Sequence, residues 1–94
     1  MTMTRDSAEA FAAQVLGWLA EDNGRIGAFL GWSGESPASL RTRLSDPGLL
    51  LAVIEFLMLD EAMLLEACAA LEVRPETPMQ ARAALPGGET VHWT

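Results

Sequence analysis

Three prolines, each preceded by a helix-capping residue, most constrain what this 94-residue chain can fold into. The pairs are Ser36-Pro37, Asp46-Pro47 and Thr77-Pro78. Proline in the first position of a helix loses no hydrogen bond, because the N–H at that position has no acceptor within the helix. The preceding Ser, Asp or Thr side chain can accept a hydrogen bond from a free backbone N–H. Each pair therefore predicts the start of a helix.

Two further helix starts carry weaker signals. Asp6 and Glu9 have the spacing of a capping box, and Asp60 directly precedes the helical pattern EAMLLEACAAL. The apolar residues between these points recur with helical periodicity, and no stretch shows sustained strand alternation. The pattern predicts six helices, over residues 7–21, 23–32, 37–44, 47–59, 61–72 and 78–85.

The connections between these predicted helices are short, so helices that follow one another in sequence should be neighbours in space. Short helices joined in this way are typical of an irregular or orthogonal bundle rather than a long four-helix bundle. We expect an all-α, compact, single-domain bundle of five to six short helices. The domain spans residues 1–94, with an ordered core over about 7–85 and a C-terminal tail over 86–94.

The most apolar stretch of the chain, GLLLAVIEFLMLDEAMLL, covers residues 48–65. It is divided at Asp60, and its first part carries Glu55 at the centre, whereas a membrane-spanning helix needs about 20 apolar residues. A short helix that is apolar nearly all round is usually a buried one. We expect helix 4 to form the core, or the core together with a partner surface, and to meet solvent along one narrow stripe composed of Gly48, Ala52, Glu55 and Leu59.

The charge balance disfavours some partners. Six basic residues, all arginine, stand against 13 acidic ones, which gives a net charge of -7. Phosphate backbones and anionic lipid surfaces repel such a protein. A helix-turn-helix formed by helices 3 and 4 is also disfavoured, because a recognition helix presents polar and basic side chains to the bases. We expect no nucleic-acid partner and no membrane partner. A single cysteine requires no oxidising compartment, and residues 1–11 lack an apolar signal segment, so we expect a cytoplasmic protein.

Residues that could carry catalysis are few. The chain has one histidine, His92, and one cysteine, Cys68, whereas an activated nucleophile needs a base beside it. Cys68 shares a helical stripe with Leu64 and Leu71, so we expect it to be buried and unreactive. One cysteine and one histidine are too few for a typical zinc site. We expect no catalytic residue, no metal site and no cofactor, and the chain is not predicted to be an enzyme.

A candidate interaction surface remains, and we assign to it Gly27, Gly31, Trp32, Ala52, Glu55, Leu59 and Trp93. The two glycines lie four residues apart on helix 2, which favours either tight packing of another helix or a shallow groove. The tail with His92 and Trp93 could fold over the bundle, extend freely or bind a partner. The first hypothesis is a non-catalytic protein-interaction module with an unidentified protein partner or a second copy. The alternative is a small-ligand-binding domain near Gly27, Gly31 and Trp32.

Four stretches of the chain carry a resemblance to a known family. They are VLGWLAED, RIGAFLGWSGESPASLR, DPGLLLAVIEFLMLDEAMLLEACAALEVRPE and ARAALPGG. The order SGESP, SLR and then DPG before an apolar helix contributes most of the match. Over about residues 8–85 the chain resembles the domain of unknown function family numbered 3572, whose members are short bacterial proteins. The resemblance implies a small, helical, cytoplasmic protein, and it assigns no activity and no site residues.

Overall fold

The computed structural model describes residues 3–88, and within that range the chain forms helices and no strand. The helices are α1 (Arg5–Ala20), α2 (Asn23–Ser33), α3 (Pro37–Thr42), α4 (Pro47–Leu57), α5 (Glu61–Leu71) and α6 (Thr77–Ala84). Their ends differ from the predicted ends by no more than two residues. The prediction of an all-α bundle of short helices is confirmed.

Capping residues start three of the helices where the sequence predicts it. Ser36, Asp46 and Asp60 each accept a hydrogen bond from the backbone N–H three residues later. Each of these bonds satisfies an N–H that has no acceptor within its helix. At the other end of a helix, Gly34 has a left-handed φ of 80° and terminates α2, a conformation that glycine adopts without strain.

Two other predicted helix starts are wrong. Helix α1 begins before Asp6, because the Thr4 hydroxyl accepts from the backbone N–H of Ser7 at 3.0 Å and caps the helix two residues earlier. Thr77 is not a cap but the first residue of α6. Its backbone N–H donates to the carbonyl oxygen of Arg74 at 3.0 Å, so the preceding turn already directs the chain into the helix.

Helices α1 and α4 form the centre of the bundle. Each packs against the other, and both contact α2, α5 and α6. The largest fully buried side chains that they contribute are Val15, Leu19, Leu49, Val53, Ile54 and Leu57. Burying one such side chain contributes roughly 1.5–3 kcal/mol, so these two helices supply much of the hydrophobic free energy of folding. No helix among residues 3–88 combines the length and the apolarity that crossing a bilayer requires.

The apolar stretch divides at Asp60, as predicted, and meets solvent along the predicted stripe. Helix α4 ends at Leu57, and the backbone N–H of Leu59 bonds to the carbonyl of Phe56 in a tightened last turn. Gly48 and Leu59, at the two ends of the stripe, are exposed. Ala52 and Glu55, between them, are partly buried. Helix α4 therefore meets solvent along one face, and that face leads toward the candidate site.

The helical periodicity of the sequence also predicts that Trp18, Leu44 and Leu65 face the core, and two of these three predictions are wrong. Leu65 on α5 is 47% exposed, because α5 lies at the edge of the bundle and buries fully only Ala67 and Cys68. Leu44 is 53% exposed, because α3 ends at Thr42 and does not carry Leu44 toward the core. Trp18 is buried, which confirms its assignment to the core.

Candidate functional site

A hollow of about 360 Å³ lies where the ends of α2 and α4 meet α6. We call it the Trp32 hollow, and its lining residues are Trp32, Glu55, Met58, Leu59 and Arg82. Helix α2 supplies the indole, α4 supplies the carboxylate, the turn after α4 supplies the side chains of Met58 and Leu59, and α6 supplies the guanidinium. Trp32 is 47% exposed and Leu59 is 65% exposed, so two large apolar side chains meet solvent at one place.

An aromatic cluster holds Trp32 in position. The Phe29 and Phe56 rings pack edge to face, with their centroids 5.4 Å apart. The Trp32 ring lies 5.5 Å from Phe56 and 6.4 Å from Phe29. Phe29 and Trp32 share one face of α2 because they are three residues apart, and Phe29 is fully buried. One side of the indole is therefore fixed to the core, while the other side forms a wall of the hollow.

An ion pair forms the polar edge of the hollow. Arg82 Nε lies 3.4 Å from Glu55 Oε2, and the two side chains are 44% and 38% exposed. A partly hydrated pair at this distance contributes little to stability, on the order of 0–1 kcal/mol. Both groups therefore keep hydrogen-bonding capacity for a ligand or partner that approaches the hollow.

The family of the chain follows from its match to a protein family described as "Protein of unknown function (DUF3572)", which extends over residues 5–88. The chain belongs to the DUF3572 family. This confirms the resemblance drawn from the sequence, and the match includes all six helices. The comparisons with curated proteins and with solved structures find no match.

The structure of this DUF3572 chain brings together three of the predicted surface residues. Trp32, Glu55 and Leu59 line the same hollow, although they come from two helices and from the turn after the second. Ala52 lies on the same face of α4 as Glu55 and is partly buried, but it does not line the hollow. Trp93 lies outside the described residues, as does His92, so the three possibilities for the tail stay predictions.

The two predicted glycines have a different environment from the one that close packing requires. Gly27 and Gly31 are exposed on α2, and a Cβ built on either would meet nothing within 4 Å. The interpretation of the two glycines as a tight helix-packing face is therefore wrong for this DUF3572 chain. Neither glycine lines the Trp32 hollow.

Sequence reasoning missed two lining residues, Met58 and Arg82. Arg82 pairs with Glu55, which lies 27 positions earlier in the sequence. A contact between residues so far apart cannot be predicted from a local sequence pattern. Met58 was assigned to a helix that was expected to be buried nearly all round. Helix α4 instead ends at Leu57, two residues before its predicted end, which leaves Met58 partly exposed beside Leu59.

A second hollow of about 320 Å³ lies between α1 and α3, and it was also missed. Its lining residues are Ala13, Leu16, Gly17, Ala20, Leu40 and Leu44. The available signal was the spacing of the small residues at 13, 17 and 20, which places them on one face of α1. This groove is apolar and carries no charged lining residue.

The groups usually needed for catalysis are not gathered at either hollow. Among residues 3–88, no three His, Cys, Asp or Glu side chains are close enough together to hold a metal ion. Cys68 is buried on α5 and lines neither hollow, which confirms its predicted burial. Burial raises the pKa of the Cys68 thiol, and the negative charge of Glu76 acts in the same direction. The thiol form is therefore favoured over the reactive thiolate.

Proposed function

We propose that this DUF3572 protein is a non-catalytic protein-interaction module, and that the Trp32 hollow receives one bulky apolar side chain of a protein partner. The observation that carries the proposal is the exposure of Trp32 and Leu59 at one hollow, at 47% and 65%. Protein interfaces gain much of their binding energy where a few such side chains enclose an anchor from the partner.

The rigidity of Trp32 supports this proposal. Its ring already rests on Phe29 and Phe56, so binding would immobilise little that is mobile in the free protein. Preorganised side chains lose less conformational entropy on binding. Met58, on the neighbouring wall, is unbranched and can adapt to anchors of different shape. The hollow therefore combines a rigid wall, formed by Trp32, with an adaptable wall, formed by Met58. This combination suits a bulky aliphatic or aromatic side chain of the partner.

Charge supports a partner with basic residues beside that anchor. The chain has a net charge of -7, which would accelerate the approach of a basic segment. At the hollow itself, Glu55 is partly exposed and can pair with a cation from the partner. Arg43 pairs with Glu35 and Asp46, and Arg5 pairs with Glu9, so several arginines are engaged within the chain. This engagement disfavours nucleic acid as the partner.

The proposal of a non-catalytic role rests on the composition of the hollow. Its lining side chains are an indole, a thioether, an alkyl group and one ion pair, with no Ser, Cys or His among them. Such a set can bind an apolar group and orient a charge, but it lacks the usual pairing of a nucleophile with its base. We further propose that the module acts in the cytoplasm, where its single thiol stays reduced.

A selection from displayed random peptides tests the proposed function. The peptides are selected on the wild-type protein and then counter-selected on Leu59→Glu, which places a charge at the mouth of the hollow. We expect the enriched peptides to share a bulky apolar residue beside Arg or Lys. We also expect them to bind Leu59→Glu at least about tenfold more weakly, a loss of about 1.4 kcal/mol.

Leu65→Glu is the matched control, because Leu65 is a half-exposed leucine on α5 that does not line the hollow. It adds the same charge to the same acidic protein, and we expect it to leave affinity within about twofold, since distant exposed substitutions have small effects. If the enriched peptides bind Leu59→Glu and wild type equally, the hollow is not the interaction site and the proposal fails.

A small-ligand-binding function is the second candidate, and the volume of the hollow favours it. A hollow of about 360 Å³ lies at the lower end of the range of about 300–1,000 Å³ that is typical of ligand pockets. A metabolite panel monitored by thermal unfolding would support this candidate if a compound stabilises wild type but not Leu59→Glu. The partner could instead be a second copy of the chain. Light scattering would then give the molar mass of a dimer for wild type and that of a monomer for Leu59→Glu.

A further inference from the structure

We propose that the Trp32 hollow is a binding site for a primary organic ammonium ion, that is, a protonated amine that carries an apolar substituent. This goes beyond the interaction role, because a small cation can occupy the same hollow whether or not a protein partner binds there. It also gives the second candidate function, the binding of a small ligand, a chemical class of ligand.

The residues that line the hollow lie at the carboxyl ends of three helices. Trp32 is in the last turn of α2, and Arg82 is in the last turn of α6. Glu55 is in the last turn of α4, and Met58 and Leu59 directly follow that helix. The carboxyl end of a helix carries a partial negative charge of about half an elementary charge, which favours a cation nearby. The hollow is therefore a place where three such partial charges come together.

Two of these helix ends lack a compensating charge of their own. Neither α2 nor α4 has a basic residue in its last turn, whereas α6 has one. At the end of α2, the N–H of Gly34 donates to the carbonyl oxygen of Leu30. Among residues 3–88, no backbone N–H donates to the carbonyl oxygens of Gly31 and Trp32. Such carbonyl oxygens can accept hydrogen bonds from the N–H groups of a primary ammonium ion.

The exposed side of the Trp32 indole also favours a cation. The face of an aromatic ring carries the negative part of its quadrupole, so it attracts a positive charge that lies over it. The same chain contains one contact of this kind, because Cζ of Arg25 lies 3.8 Å from the centre of the Trp18 ring. The wall that Trp32 forms can therefore contact both the apolar substituent and the charged group of the ligand.

The ion pair at the edge of the hollow leaves room for a second cation. Arg82 Nε lies 3.4 Å from Glu55 Oε2, which is a long contact, and both side chains are partly exposed. An ammonium group can approach a carboxylate to about 2.7–2.9 Å. Arg82 supplies one positive charge, whereas Glu55 and the three helix ends are all negative. A ligand cation is therefore attracted to the hollow and competes there with Arg82 for Glu55.

The rest of the lining favours an apolar substituent on that cation. Met58 and Leu59 carry no charge, and together with the indole they form the apolar part of the hollow. The net charge of the chain, -7, attracts small cations toward its surface. Benzylammonium has the required chemistry, because its aromatic ring is joined through one carbon to a primary ammonium group.

Benzylammonium, benzyl alcohol and benzoate test the proposal, because they share an aromatic ring and differ in charge. The full chain has three tryptophans, and it is labelled with 5-fluorotryptophan and titrated with each compound. Fluorine NMR follows the Trp32 signal, which Trp32→Phe identifies. We expect benzylammonium to shift that signal and to bind at least about fivefold more tightly than benzyl alcohol. Benzoate is expected to bind most weakly.

Two pairs of variants assign the preference to the hollow. Glu55→Gln should weaken the binding of benzylammonium at least about threefold, because it removes the carboxylate. Glu66→Gln removes the same charge from an exposed position on α5 and should change the affinity less than about twofold. Arg82→Gln should strengthen the binding, because it removes the competing cation. Arg74→Gln, at an exposed arginine that lines neither hollow, should not strengthen it in the same way.

Several outcomes would overturn the proposal. One is equal affinity for benzylammonium and benzyl alcohol, and another is a Trp32 signal that none of the three compounds shifts. Unchanged binding in Glu55→Gln would place the cation elsewhere. Tightest binding of benzoate, abolished by Arg82→Gln, would make the hollow a site for anions.

The displayed peptides separate this proposal from the interaction role. Peptide binding that requires Leu59, without a preference for benzylammonium at Trp32, would overturn the ammonium site and retain the interaction role. A preference for benzylammonium that depends on Glu55, without peptide binding at the hollow, would retain the ammonium site and overturn the interaction role.

Discussion

Glu72 is a non-glycine residue in the left-handed region, with a φ of 58° and a ψ of 45°, at the end of α5. Its conformation allows the N–H of Val73 to reach the carbonyl oxygen of Cys68 at 2.9 Å, and so satisfies an acceptor at the helix end. Residues with a Cβ adopt this conformation at a cost of about 1–2 kcal/mol. The packing that places Val73 against the core therefore holds strain at Glu72.

We predict that Glu72→Gly stabilises the protein, because glycine has no Cβ to strain. The gain is reduced by the greater freedom of glycine in the unfolded chain, so the expected net effect is about 0.5–1 kcal/mol. In a domain of this size that corresponds to a rise in Tm of roughly 2–8 °C. Glu72→Gln removes the charge and keeps the Cβ. If this control raises the Tm equally, the effect comes from charge and not from backbone strain.

At the residue scale, the sequence predicted those features that depend on hydrogen bonds between residues close together in the chain. Asp46 and Asp60 were predicted to cap helices, and both predictions are confirmed because a cap depends on residues close by in sequence. Glu72 gave no comparable signal, because a left-handed glutamate is imposed by the packing on either side of it. Arg82 gave none either, because its partner Glu55 is 27 positions away.

At the scale of elements, the turn between α3 and α4 is organised by Arg43. Its guanidinium pairs with Glu35, before α3, and with Asp46, the cap of α4. Asp46 also accepts from the backbone N–H of Leu49 at 3.0 Å. The hydrogen bond from Arg43 and, secondarily, that from Leu49 hold the pKa of Asp46 below its ordinary value of 3.8. The three side chains thus fix where α4 begins.

This shift predicts an acid-dependent loss of stability. The folded pKa of Asp46 is lower than the unfolded one, so the unfolded chain takes up the proton first as the pH falls. The stabilisation is complete above the ordinary value of 3.8 and is lost as the pH falls through the folded pKa. Asp46→Asn keeps a capping side chain without the titration. Thermal unfolding from about pH 6 to about pH 2.5 should therefore show a steeper fall for wild type than for Asp46→Asn. Parallel curves would contradict the prediction.

The whole molecule depends on contacts that join distant parts of the chain. Helix α6 closes the bundle by packing on α1 and α4, and Leu85, immediately after it, is 1% exposed in the core. Sequence periodicity identified each helix, but the expectation that consecutive helices would be neighbours holds clearly only for α1 with α2 and for α4 with α5, whereas α1 packs most extensively on α4 and α6. The Trp32 hollow shows the same limit, because its composition depends on where α2, α4 and α6 end. The part of the hollow formed by the exposed stripe, with Glu55 and Leu59, could be predicted from the sequence. The part formed by Arg82 of α6 could not.

We predict that closure by α6 contributes a large share of the total stability. Leu85→Ala should lower the free energy of unfolding by about 2–5 kcal/mol, the usual effect of truncating a buried leucine. The total free energy of unfolding of such a domain is about 5–15 kcal/mol. Met79 lies on α6 and its side chain is 66% exposed, so Met79→Ala should change the free energy of unfolding by no more than about 0.5 kcal/mol. Urea unfolding of the two variants measures the difference. Similar midpoints would show that α6 is dispensable to the core.

The packing of α1 against α6 has a consequence for the chain as it emerges from the ribosome. Phe11, Val15 and Leu19 lie on the buried face of α1, and two of the helices that pack on α1, namely α4 and α6, are synthesised after it. Until α6 has been synthesised, the apolar face of α1 therefore lacks part of its covering, and chaperones can bind to it. The packing around α1 is complete only once α6 has joined it.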